Sequence, residues 1–76
     1  MIQEFERAVL VTDLPDEGLV AGDVGTVVDI TGDGKAATLE FFNFAGQTVA
    51  VALVGIDQVR PAGANEILHA RPVESA

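Results

Sequence analysis

The chain has 76 residues, 49% of them hydrophobic, and its twelve acidic and four basic residues give a net charge of −8 at pH 7. This length predicts one domain near the lower limit for a self-sufficient core, and the absence of cysteine excludes disulfides and thiolate metal sites. The acidic balance argues against binding to nucleic acid or anionic membranes, because such binding depends on Lys and Arg. It favours a basic protein partner, although acidity also serves simply to keep a small apolar domain soluble.

The first eleven residues contain acidic side chains and lack the basic start and apolar run of a signal peptide. No apolar run approaches the length of about 20 residues that crosses a bilayer. We therefore expect a cytoplasmic protein, which the lack of cysteine also favours.

Residues 7–12 are apolar and rich in β-branched side chains, which predicts a first strand. A loop follows, in which Pro15 lacks a backbone donor and the neighbouring residues favour turns. In the next strand, strict alternation places Thr26, Val28 and Ile30 on one face.

Two more alternating segments follow at residues 36–42 and 47–53. In the first, Leu39 and Phe41 share a face and Phe42 lies on the other. In the second, the larger residues share one face: Val49, Val51 and Leu53. A short last strand ends at Pro61.

Short strands with regularly spaced turns predict an all-β fold, and at this length a small five-stranded SH3-like barrel over residues 1–61. Closure of the barrel would remove most exposed strand edges. Residues 62–76 are expected to form a short, partly mobile C-terminal tail, in which Pro72 forbids a long helix. Its Ile67–Leu68 pair is expected to dock on the barrel or on a second copy, so a homo-oligomer is also compatible with the sequence.

Residues 29–40, DITGDGKAATLE, match the spacing of an EF-hand calcium loop. An EF-hand loop lies between two helices, whereas both flanking segments here have strand periodicity. We interpret the stretch as a Gly-Asp-Gly hairpin turn with Asp29 and Glu40 near each other across two strands. No cofactor or metal is expected, and the candidates for a weak cation site are Asp29, Asp33 and Glu40.

The run DLPDEGLVAGDVGTVV at residues 13–28, followed by Glu40–Phe41, GQTVAV and Arg60–Pro61, carries a specific pattern. It resembles a family of small bacterial proteins, domain-of-unknown-function family 4926, over residues 5–61. The resemblance implies an SH3-like barrel and brings no established activity, so no catalytic residue is carried over. The shorter pattern L-x-x-G-D-x-G-T-V-V is also similar to the KOW type of barrel, whose RNA-binding loops are basic.

Side chains suited to catalysis are few. His69 is the only histidine and Ser75 the only serine, and both lie in the predicted tail. Catalytic groups need a rigid frame, and the remaining nucleophiles are threonines and carboxylates without an evident base. We therefore expect a non-enzyme.

The leading interpretation is a non-catalytic protein-interaction module, in which a small acidic barrel binds a protein partner. The predicted contact residues are an outward aromatic pair and nearby acids: Phe42, Phe44, Glu40, Asp13, Asp16, Glu17 and Asp23. If instead barrel twist and the tail cover Phe42, only one aromatic ring is exposed. An antitoxin-like or immunity-like role against a basic toxin fits the size and charge. A small barrel can also serve as an accessory subunit of a larger enzyme complex, and KOW-like nucleic-acid binding is the least favoured function.

Overall fold

The computed structural model describes residues 2–73. Five strands form one antiparallel sheet: β1 (Arg7–Leu10), β2 (Val24–Thr31), β3 (Ala36–Phe42), β4 (Thr48–Gly55) and β5 (Val59–Pro61). Their order is β4-β3-β2-β1-β5, so the last strand returns to pair with the first. In the described residues, helical geometry is confined to two single 3₁₀ turns, Pro15–Glu17 and Ile56–Gln58. The predicted all-β class with five strands is confirmed.

A β-bulge in β2 changes which of its side chains face the core. The register with β3 shifts between Val27 and Asp29, which leaves Val28 as the extra residue. Val27 is fully buried, and Ile30 packs against the same core. The prediction that Thr26, Val28 and Ile30 share one face was therefore wrong, because alternation restarts after the bulge.

The core lies on the inner face of the sheet, where a large side chain on one of the strands β3 and β4 is paired with a smaller one on the other. The register places the fully buried Leu39 opposite Ala52. A small residue opposite a large one fills the interior without forcing the strands apart. As a result, the larger residues Val51 and Leu53 of β4 lie on the outer face and are exposed.

Phe41 in β3 packs its ring against the backbone of Gly25 in β2. A Cβ atom at position 25 would lie 2.9 Å from two carbons of the ring. The missing side chain of Gly25 therefore makes room for Phe41 in the core. With Phe41 directed inward, the next residue, Phe42, is directed outward.

The two ends of the sheet are β4 and β5. They are joined by the Ile56–Gln58 turn, in which the Ile56 N–H donates a hydrogen bond to the carbonyl of Lys35 at 2.9 Å. Among the described strands, β4 pairs with β3 alone, so one backbone edge of β4 is free. The SH3-like form of this sheet and its closure into a barrel stay predictions.

Residues 62–73 contain neither helix nor strand, so the tail forms no regular secondary structure over this range. Residues 74–76 of the predicted tail, including Ser75, lie outside the described residues. Nowhere in residues 2–73 is there a helix with the length and apolar character to cross a membrane.

Candidate interaction surfaces

A row of apolar side chains crosses the outer face of the sheet. Val9 of β1 pairs with Val24 of β2. Thr26 of β2 pairs with Glu40 of β3, so two residues further along the antiparallel pair Val24 lies beside Phe42. The exposed fraction rises along the row, from 7% at Val9 to 38% at Val24 and 48% at Phe42. Val9 is buried outside the core cluster, and it lines a groove together with tail residues. The tail thus covers one end of the row and leaves the other open.

We define the tail groove as the open space between this row and residues 62–73, with a volume of about 700 Å³. Phe44 lines its open end, and Ile67 and Leu68 line its tail side. All three side chains are largely exposed. Phe42 is half exposed, so the tail does not cover it completely, and the Ile67–Leu68 pair does not dock on the sheet of its own chain.

The turn between β3 and β4 presents Phe44 and is held by two of its residues. The Asn43 Oδ1 accepts a hydrogen bond from the Gln47 N–H at 2.9 Å, and the Asn43 Nδ2 donates to the Gln47 Oε1 at 3.0 Å. Gly46 adopts a φ of +84°, which glycine tolerates at low cost. The position of Phe44 is therefore defined by a braced turn.

Two arginine–carboxylate pairs hold the tail. Arg60 donates to both oxygens of Glu66, at 2.8 and 2.6 Å. Arg71 donates to both oxygens of Asp23, at 2.9 and 2.5 Å, and to the carbonyl of Gly18 at 3.2 Å. The segment between Glu66 and Arg71 is therefore fixed at both ends.

These contacts favour the charged forms of both carboxylates. Burial raises the pKa of Asp23, but hydrogen bonds from Arg71 and from the Val20 N–H outweigh this effect, so the pKa lies below its usual value. The hydrogen bond from Arg60, followed by one from the Gly63 N–H, lowers the pKa of Glu66 to about 2. Asp23, predicted as a partner contact, is thus engaged within its own chain.

The acids of the first loop lie at a different place, beside β4. Asp16 and Glu17 are exposed on the Pro15–Glu17 turn, and with Asp13 and Leu53 they line a small cleft of about 280 Å³. The Asp13 Oδ1 accepts a hydrogen bond from the Ala21 N–H at 2.8 Å, which braces the loop. These three loop acids and the aromatic contact residues predicted from sequence therefore do not line the same cleft.

Glu40 lies on the outer face next to β4. It pairs with Val51 in the register, and its Oε2 accepts a hydrogen bond from the Thr48 Oγ1 at 2.5 Å. We define the acidic edge by the residues of this second surface: Asp13, Asp16, Glu17, Glu40, Val51 and Leu53. Sequence reasoning grouped Val51 and Leu53 on one face of β4 but did not name them as contacts.

The calcium-like stretch is a β-hairpin. Its ends lie in β2 and β3, where an EF-hand would have helices. Asp29 pairs with Thr38, and Glu40 pairs with Thr26, so the two carboxylates are offset along the hairpin. Within residues 2–73, no three His, Asp or Glu side chains are grouped so that they could hold a metal ion.

The family model described as "Domain of unknown function (DUF4926)" matches residues 4–61 of the chain. The match includes all five strands and ends with β5, so the tail lies beyond it. The chain matches no curated protein and no solved structure at a significant level.

Proposed function

Because the chain belongs to the domain-of-unknown-function family DUF4926, whose description names no activity, we propose a function from its surfaces. It is a non-catalytic protein-interaction module that binds a basic protein partner at the acidic edge.

The observation that carries this proposal is the pair of exposed aliphatic side chains on the free edge of β4. Val51 and Leu53 lie on the outer face of a strand, Thr48–Gly55, that contains neither a charged residue nor a proline. Charges and prolines are the usual devices that keep an edge strand from pairing with another chain. An edge without them can accept an extended segment of a partner as an additional strand.

Carboxylates lie near these two side chains, and that of Glu40 belongs to β3, on the paired side of β4. Asp16 and Glu17 lie beside Leu53, and Glu40 lies beside Val51. A partner segment that carries aliphatic and Lys or Arg side chains on the face it shares with Val51 and Leu53 would contact both the apolar and the acidic groups. The charge would mainly speed the encounter and select the partner, while the buried apolar area would supply affinity.

An antitoxin-like or immunity-like role is one form of this function, in which the basic partner is a toxin. An accessory-subunit role is another form, in which the partner is a larger enzyme. The identity of the bound protein separates the two.

The test is affinity capture from source cells with tagged wild-type protein and variants, followed by identification of the bound protein. We expect a basic protein that wild type retains, and that Leu53→Ser and the pair Asp16→Lys with Glu17→Lys both lose. Leu68→Ser is the matched control, because it also shortens an exposed leucine but lies in the tail groove. Retention of the same protein by the acidic-edge variants, with folding verified by circular dichroism, would refute the proposal.

A further inference from the structure

We propose that the tail groove is a self-association surface, in which Ile67 and Leu68 of one copy pack against Phe42 and Phe44 of a second copy. In the same dimer, Ile67 and Leu68 of the second copy pack against Phe42 and Phe44 of the first. The lining of this surface includes none of the residues that define the acidic edge, and the proposal does not rest on the function proposed above.

The aliphatic half of the contact is held in position before any partner arrives. Ile67 is 95% exposed and Leu68 is 74% exposed, although both lie between the two ion pairs that fix the tail. Fixing the backbone of a flexible segment on binding costs conformational entropy. The pinned tail avoids part of that cost, as expected for a preorganised contact.

The aromatic half of the contact is the open end of the same groove. Phe42 and Phe44 border it and are exposed, and the tail of their own chain covers only the Val9 end of the apolar row. Aromatic side chains are enriched at interfaces because they bury large areas and lose little rotational freedom. Each copy therefore carries both halves of one apolar contact.

The charge distribution points to a second copy as the occupant. All three arginines of the chain line the groove. Among its described lining residues the carboxylates are those of Asp23 and Glu66, and each is paired with an arginine. A basic partner would find no free carboxylate on these walls. Two copies with a net charge of −8 each repel one another, and this face, lined by three arginines and two carboxylates, adds no net negative charge to the contact.

The size of the contact is compatible with a weak symmetric dimer. A two-fold arrangement uses the same patch on both copies, so the four side chains are buried twice. Eight large apolar side chains bury on the order of 1,000 Å² in total, near the lower end for specific interfaces.

The first test is sedimentation equilibrium of the full chain up to about 1 mM, a concentration suited to a weak interface. We expect wild type to approach twice the monomer mass. Ile67→Ser with Leu68→Ser should raise the dissociation constant at least about tenfold, and Phe44→Ser should also raise it. Leu53→Ser, an exposed leucine outside the groove, should leave it unchanged. A monomeric wild type, or a dimer that Leu53→Ser disrupts and the tail variants do not, would overturn the proposal.

The second test uses the absence of native cysteine. Chains carrying only Phe44→Cys are mixed with chains carrying only Leu68→Cys, and the mixture is oxidised gently. We expect the mixed disulfide to exceed that formed when Phe44→Cys chains are mixed with Leu53→Cys chains. Equal yields would show that residues 44 and 68 of different copies are not neighbours.

Discussion

Replacing Gly25 with alanine tests how the core and the outer face are arranged, because this position sets the direction of Phe41 and therefore of Phe42. The added Cβ would lie 2.9 Å from the Cε2 and Cζ atoms of Phe41 and 3.1 Å from its Cδ2, whereas ordinary contact begins near 3.4 Å. The ring of Phe41 is 3% exposed and belongs to the core cluster. It therefore cannot move away without displacing its neighbours.

The expected magnitude combines two opposing effects. Overpacking of a filled core typically costs about 1–3 kcal/mol. The backbone at Gly25 is not in the left-handed region, so alanine is allowed there. Alanine also restricts the unfolded chain more than glycine does, which stabilises the folded state by about 0.4–1 kcal/mol. We expect a net loss of roughly 1–2 kcal/mol in the free energy of unfolding, or about 4–8 °C in Tm for each kcal/mol at this size.

Urea denaturation of four proteins measures the effect: wild type, Gly25→Ala, Phe41→Leu and the double variant. Leucine lacks the ring carbons that the new Cβ would meet, so Gly25→Ala should cost less in the Phe41→Leu background. We expect a coupling energy of about 1 kcal/mol, within the range for residues in contact. An equal cost in both backgrounds would refute the close approach of Gly25 and Phe41.

Three further predictions concern the chain ends and the hairpin. Phe5→Gly should raise the free energy of unfolding, measured by urea denaturation, by up to about 1 kcal/mol. Phe5 is exposed and has a φ of +67°, which is a costly conformation for a residue with a Cβ. A lower free energy of unfolding in the variant would contradict this. In the folded protein the pKa of Glu66 is lowered to about 2 from its ordinary value of 4.5. The ionised carboxylate therefore stabilises the fold above pH 4.5, and this stabilisation is lost as the pH falls toward 2. Carboxyl-carbon NMR should show this pKa rising in Arg60→Gln, and an unchanged value would argue against the ion pair. Calorimetric titration with calcium should show no micromolar binding, because residues 29–40 form a hairpin; micromolar binding would contradict the interpretation.

The fold class could be read from the sequence because alternation along a strand records which side chains are buried. Leu39 and Phe41 were expected on one face of β3, and both are buried while Phe42 is exposed. Alternation failed in β2 because a bulge arises from the pairing of two strands. No residue near Val28 signals where the register will shift.

The two faces of β4 were separated correctly by sequence, but their direction was not evident. Val51 and Leu53 are the larger residues, and their size alone would favour burial. Their exposure depends on the partner strand β3, because Leu39 of β3 fills the space opposite Ala52 on the inner face. The acidic edge, which depends on Val51 and Leu53 being exposed, could therefore not be found from local pattern.

The ion pair between Asp23 and Arg71 in the tail groove could not be predicted from the sequence. Asp23 was singled out as a contact from its place in an acidic loop, yet its carboxylate binds Arg71, 48 positions further along the chain. Such a pair depends on where the tail returns across the sheet. Short-range periodicity carries no information on that path, whereas the exposure of Phe44, set by a local turn, was predictable.

The separation of charge between the two surfaces has a consequence for solution behaviour. The tail groove would bring together two chains of net charge −8, so added salt should screen their repulsion and strengthen self-association. The acidic edge would attract a basic partner, so the same salt should weaken that binding. Because the two equilibria would respond in opposite directions, a salt series on one preparation separates the two surfaces without any substitution. Parallel weakening of both by salt would contradict the assignment of the groove to a second copy.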